Sequence, residues 1–335
     1  MVVKPVFSGQ PIRPMPSAPR FETRLSPDRQ PARRDAPAWT IAAVPEQCNL
    51  PTAEAFCRAI ASRHYENFTV ATRLVPQRLR QHLANVYAFA RWSDDLADEL
   101  SSPEEALAAL AAWRYRLDRC FAGHPDHPVF IALAETIRVA GLERKPFADL
   151  IDAFEQDQRV CRYPDRRSLL DYCSRSADPV GRIVLALEGC RDTGLLRLSD
   201  SICSGLQLVN FWQDVSRDRT AGRVYLPADD MHRHRVDETM LDADAATPEF
   251  VRLLREEVAW ARECLRAGFP LEHKAPPVLR PAIGMFIRGG LAIADGIERI
   301  GYDTLARRPV VSRWTKARLA ARAWWGMVTH TGRFA

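Results

Sequence analysis

One stretch constrains this chain more than any other: residues 201–218, SICSGLQLVNFWQDVSRD. It contains no proline and reads as one long helix. From Ile202 to Val215 it is apolar on most sides, the mark of a helix buried in a larger protein. Yet Gln207, Asn210 and Asp214 lie inside it, and Asp218 follows one turn later. At about 100° per residue, Asn210, Asp214 and Asp218 fall within an arc of roughly 80°. Desolvating an unpaired carboxylate costs several kcal/mol, so such a face asks for a partner. Oxygen ligands at i, i+4 and i+8 suit a divalent cation. The alternative is a solvated acidic stripe relieved by Arg217 and Arg219.

A second stretch answers the first. Residues 87–99, YAFARWSDDLADE, end another long helix. Tyr87, Arg91, Asp94 and Asp98 share an arc of roughly 60°. Like charges at i, i+4 repel by roughly a few tenths of a kcal/mol per pair, as Asp94/Asp98 and Asp95/Glu99 do. The helix dipole also disfavours anions in a last turn. An unfavourable cluster in an otherwise consistent helix points to a site. Mg²⁺ prefers carboxylates together with phosphate oxygens and water, and Arg91 on the same face is a phosphate donor. The two faces together predict a Mg²⁺-dependent site for a diphosphate inside an all-α protein.

The 335 residues can bury a large core, and no apolar run of about 18 residues offers a membrane span. The eight cysteines are scattered without a CxxC, as free thiols in a reducing cytoplasm. The eight histidines have no zinc spacing. The net charge of +5 is carried by the ends, since residues 1–45 and 304–335 are basic and the body between is acidic. Nucleic acid is therefore not an expected partner.

Residues 1–48 read as a disordered Pro/Arg-rich leader. Residues 49–305 read as one all-α domain, because no period-two pattern survives beyond a few residues. Helices are expected from Thr52, from Pro76, from Ser102-Pro103 to near Gly123, and at about 128–140, 146–159, 166–175, 179–191, 248–268 and 277–302. A break is expected after His64. Asp178-Pro179 followed by Gly181 marks either a helix kink or a close backbone approach. Residues 222–227, GRVYLP, read as extended. Residues 306–335 form a basic tail with Trp314, Trp324 and Trp325. Such a tail either packs on the domain or lies on an anionic membrane surface.

These residues resemble the squalene/phytoene synthase family. The carriers are Tyr87-x3-Arg91-x2-Asp94-Asp95-x2-Asp98-Glu99, then Gln207-x2-Asn210-x3-Asp214-x3-Asp218, then Arg223-Val-Tyr225-Leu-Pro, in the same order over about residues 55–320. The resemblance implies a single-domain isoprenoid synthase-like helical bundle around a central cavity, three Mg²⁺ ions and a prenyl diphosphate substrate. Within the family the chain is most similar to the bacterial hydroxysqualene synthases of hopanoid biosynthesis. Residues 64–68 (HYENF), 172–181, 210–214 and 301–309 carry that likeness. It implies conversion of presqualene diphosphate and water to hydroxysqualene and diphosphate, without NADPH. Glu66 and Gln213 stand where synthases that join two prenyl diphosphates often place Lys or Arg, and a site for one diphosphate needs fewer cations. The alternative is a head-to-head prenyl transferase acting on farnesyl or geranylgeranyl diphosphate. A di-iron carboxylate enzyme is disfavoured because the chain has no Glu-x-x-His.

By resemblance, Asp94, Asp98, Asn210, Asp214 and Asp218 bind Mg²⁺, with Asp95 as a lesser ligand. Asp94, Asp98, Asp214, Asp218, Tyr87 and Arg91 form the catalytic set. Arg91 and Arg223 contact phosphate, and Tyr87, Tyr225 and Tyr302 position it. His64, Asn67, Phe68, Gln207 and Gln213 complete the substrate contacts, with Phe68 and Phe211 offering π faces to cations. The expected location is the cytoplasm, with the tail at the inner face of the cell membrane and pathway enzymes of squalene synthesis as partners.

Overall fold

The computed structural model describes residues 48–63 and 75–309. The leader, His64, Glu66, Asn67, Phe68 and the tail tryptophans lie outside the described residues. The described residues form α-helices, with one isolated bridge between Arg162 and Val224 in the stretch expected to be extended. None of these helices is long and apolar enough to cross a membrane.

Local chemistry starts and stops the helices as their sequence suggests. After α1 (Leu50–Arg63), α2 (Gln77–Asp98) begins behind Pro76. Ser102 caps α3 (Pro103–Phe121) by accepting from the Glu105 amide at 3.2 Å. α4 (Pro128–Ala140) closes on Gly141 in the left-handed region (φ 58°), where a Cβ would be strained. α5 (Lys145–Asp157) leads to α6 (Arg166–Ser176), which opens with a capping box between Asp165 and Ser168. α2 packs on α1, α3, α4 and α5. Phe89, Trp113, Phe130 and Phe147 are fully buried among these helices. The Trp113 indole donates to Ser93 at 3.0 Å, so its buried nitrogen is satisfied.

The organising stretch lies in α8 (Thr193–Gln213), which packs on α6, α7 (Asp178–Ala186), α11 (Pro248–Ala267) and α13 (Arg280–Arg299). Neighbours on several sides explain why it is apolar nearly all round. The single long helix expected through Asp218 is interrupted. Asp214 leaves helical geometry at φ −108°, ψ 15°, and the short α9 (Val215–Thr220) follows. The hydrogen-bond ladder crosses the break, with the Asp214 amide donating to Asn210 and Phe211 and the Asp218 amide donating to Asp214 at 2.9 Å. The expected 179–191 helix ends earlier, at Ala186. Three short pieces outside the expected helices are helical: α10 (Ala228–Arg233), a 3-10 turn (Glu238–Asp242) and α12 (Leu271–Lys274). None is long enough to display a period.

The segment between α9 and α11 is pinned by two arginines. Arg162 donates to the Gly222 carbonyl at 2.6 Å and grips Glu238. Arg166 reaches Asp230 at 2.7 Å, Glu256 at 2.9 Å and Glu257 at 3.0 Å, with its guanidinium 4.8 Å from the Trp260 ring. Burial pushes the fully enclosed Glu257 up to about 8, so this carboxyl keeps its proton at neutral pH.

Gly181 settles the meaning of the Asp178-Pro179 break. A Cβ on it would lie 2.3 Å from the Ser199 hydroxyl and 2.6 Å from the Cys203 sulfur, so the close approach is to α8. Helix propensity alone would make Gly181→Ala stabilising by about 1 kcal/mol. Overpacking against α8 should outweigh it and leave the variant about 1–2 kcal/mol less stable. A urea titration of both proteins reads the sign directly.

Candidate active site

The C-terminal turn of α2 presents its acids around one arginine. Arg91 lies 2.9 Å from Asp94 and 2.5 Å from Asp95. Asp95 is buried, yet neither of its oxygens receives a well-aligned hydrogen bond. Burial pushes Asp94 up to about 6 and Asp95 up to about 7. Asp98 and Glu99 reinforce the rise at Asp94, and Glu99 and Asp94 reinforce it at Asp95. The Tyr87 hydroxyl shares this surrounding and is also raised, mainly by burial.

The second acid face comes from the α8–α9 break. Asn210 is exposed, and Asp214 and Asp218 are half-buried. Burial and the neighbouring Asp214 carboxylate push Asp218 up to about 7. Arg223 ties this face to the first, donating to Asp98 at 3.0 Å across 125 positions of sequence. Beneath them Phe211 and Tyr225 stack with ring centroids 3.8 Å apart, and Tyr172 and Tyr163 extend the aromatic floor. Phe211, Val215, Asp218, Arg223 and Tyr225 line a small pocket there.

Two residues join the site without having been singled out for it. Asp157, the last residue of α5, accepts from the Tyr172 hydroxyl at 2.8 Å, and its other oxygen is buried without a partner. Burial, with Asp98 and Asp94 nearby, pushes it up to about 6. Arg308, from the chain after α13, forms a two-pronged ion pair with Asp214, its Nη2 donating at 3.0 Å. Nothing in the spacing of either acid motif marks them, because each reaches the site from a distant part of the chain.

Three expected contacts require comment. Gln213 is buried and donates to the Pro309 backbone carbonyl, so it faces away from the acids. The reason is angular: it precedes Asp214 by one residue, about 100° around the helix. Tyr302, in the left-handed region at φ 64°, is buried with its ring 5.3 Å from the Arg255 guanidinium, a contact with α11 and not with the acid faces. Gln207 lies half-buried on α8, two turns before Asp214.

The donor set is all oxygen, which suits Mg²⁺. Among the described residues no three His, Cys, Asp or Glu side chains form a ready-made metal cage. Mg²⁺ commonly takes one or two carboxylates and completes its shell with substrate phosphate and water. Buried, under-satisfied oxygens on Asp95 and Asp157 are compatible with that kind of shared site.

Comparison with known proteins agrees with this architecture. The squalene/phytoene synthase family profile matches residues 61–315. The chain belongs to that family, and its helices form the all-α isoprenoid synthase fold. It resembles the crystal structure of the squalene synthase HpnC from Alicyclobacillus acidocaldarius, with 41% identity, a TM-score of 0.73 and coverage of 76% of this chain and 95% of that one. A phytoene synthase of Arthrospira platensis is 30% identical over 277 residues, 78% of this chain and 88% of the relative. A hydroxysqualene synthase of Zymomonas mobilis is 36% identical over 170 residues, 50% of this chain and 56% of the relative.

The raised acids make metal-free stability fall with pH. Asp218 titrates near 7 when folded against about 3.9 unfolded, so the stability it contributes is full below about pH 4 and is lost as pH rises through 7. Asp218→Asn carries no such loss. The stability of the variant relative to wild type should rise steadily between pH 4 and 8 in EDTA, read by thermal unfolding. A constant difference would remove the raised carboxyl.

Proposed function

We propose that this protein converts presqualene diphosphate and water to hydroxysqualene and diphosphate. The observation that carries the reading is the 41% identity with the HpnC squalene synthase over 76% of the chain. The 36% match to a hydroxysqualene synthase supports it. In this reading the diphosphate leaves with the bonding electron pair. Water then adds its oxygen to the rearranged carbocation and loses a proton. No reductant is consumed, so NADPH has no part in the balance.

The residues divide the work by chemistry. Arg91, Arg223 and Arg308 offer guanidinium forks to the departing diphosphate. Asp94, Asp98, Asn210, Asp214 and Asp218, with Asp95, would hold Mg²⁺, which supplies positive charge to neutralise the leaving group. Tyr87 and Tyr225 border that charge with hydroxyls. The stacked Phe211 and Tyr225 rings offer π faces to a cation. A long hydrocarbon substrate also gives the basic, Trp-containing tail a use as a peripheral contact at the inner face of the membrane.

A second reading, head-to-head condensation of two prenyl diphosphates, is favoured by one feature of the site. Arg308 brings to Asp214 a cation that the neutral Gln213 does not provide. The 30% match to a phytoene synthase accords with it.

Purified protein with Mg²⁺ should form hydroxysqualene from presqualene diphosphate, at a rate and with a product unchanged by NADPH. Mass spectrometry of the lipids decides the matter, and a coupled product from farnesyl or geranylgeranyl diphosphate would move the protein to the condensing reading. Asp214→Ala should lower turnover at least about a hundredfold while leaving the helical circular dichroism intact. A variant at near-normal rate would remove the metal assignment.

A further inference from the structure

Arg308 is useful to the site only if its backbone is held, because it lies past the last long helix on a strap, residues 303–309, whose residues 306–308 are exposed. The strap is fastened at both ends. At its start the Asp303 carboxylate accepts from the Ala246 amide at 3.0 Å and the Ala306 amide at 3.1 Å. At its end Pro309 is buried against α13, where its Cβ would lie 3.5 Å from a Cβ on Gly296. A proline also restricts the residue before it, so Arg308 is biased to extended backbone. The remaining polar group at that end is the Pro309 carbonyl, and it accepts from the buried Gln213 carboxamide.

We propose that Gln213 is a positioning residue, whose carboxamide latches the strap to the end of α8 and so sets the Arg308 guanidinium on the diphosphate site. The inference rests on the proposed diphosphate chemistry for its consequence, but not for the latch itself. Gln213 and Asp214 are consecutive, so one helix end holds both the backbone of the strap and the side chain it delivers. A neutral amide suits this place. It supplies a donor to the carbonyl and adds no charge to the buried end of α8.

The test compares wild type, Gln213→Met, Arg308→Gln and the double variant as full-length chains. Methionine keeps the buried volume and removes the donor. Hydrogen–deuterium exchange of the free proteins reads the latch, and calorimetric binding of inorganic diphosphate with Mg²⁺ reads the positioning. Gln213→Met should speed exchange at the Thr304, Ala306 and Arg307 amides and weaken diphosphate binding severalfold. Arg308→Gln should weaken it about tenfold, the loss of a charge-assisted pair. Added to Arg308→Gln, Gln213→Met should cost nothing more, since it acts through that arginine. Unchanged strap exchange, effects that multiply in the double variant, or a wild type that does not bind diphosphate would each overturn the proposal. Should Gln213→Met fail to fold, Pro309→Ala loosens Arg308 without touching α8 and should likewise lose its effect in the Arg308→Gln background. A wild type that binds diphosphate through an intact latch but makes no hydroxysqualene would overturn the proposed reaction and leave the latch standing.

Discussion

Acidic helix ends cannot be brought face to face without positive charge between them. Two carboxylates about 4 Å apart repel by about 4 kcal/mol at an effective dielectric of 20. This chain gathers Asp94, Asp95, Asp98, Asp157, Asp214 and Asp218 at one end of its bundle. Burial raises Asp94, Asp95, Asp157 and Asp218, and the neighbouring carboxylates add to the rise. Relief comes from three arginines on three different elements. Arg91 stands within α2, Arg223 follows α9, and Arg308 comes from the strap after α13. Each grips a carboxylate with a fork equally suited to phosphate. In the proposed reaction the free protein holds these arginines on the acids, and a metal-bound diphosphate would exchange both sets of partners at once.

The rest of the fold serves that arrangement. The aromatic core among α2–α5 fixes the helix that carries Arg91, and the neighbours of α8 fix the helix that ends at Asp214. Arg223 and Tyr225 lie on an irregular segment, which on its own would be mobile. Arg162 and Arg166 hold that segment at the Gly222 carbonyl, Glu238 and Asp230. The buried cost of doing so is contained because Glu257 keeps its proton, which spares the interior one charge.

Both acid faces were legible in the sequence because they are periodic. Polar residues recurring at i+3 and i+4 declare a helix face wherever that helix packs. The break at Asp214 was not legible, since the hydrogen bonds continue through it and no Pro or Gly marks it. Asp157 and Arg308 were not legible as site members for another reason. Their roles depend on tertiary convergence, with Asp157 brought in by the end of α5 and Arg308 by a strap nearly a hundred residues from its partner. The contact of Gln213 with the Pro309 carbonyl was not legible either, because residue type carries no direction. A polar side chain inside a motif need not share the face of the motif.

That last point bears on how substrate number is inferred from charge. Counting cations at fixed positions treats Gln213 as a missing arginine and concludes that the site holds one diphosphate. The geometry shows a cation beside Asp214 all the same, delivered by Arg308, while Gln213 donates to the next residue's carbonyl. The neutral residue and the distant arginine act as one unit, so the field at the acid site cannot be read from position 213 alone. On the proposed chemistry, what separates one diphosphate from two is the number of guanidinium groups free to leave their carboxylates when substrate arrives. Among the described residues Arg91, Arg223 and Arg308 each grip an acid of the site, and Arg217 stands 3.9 Å from Asp214.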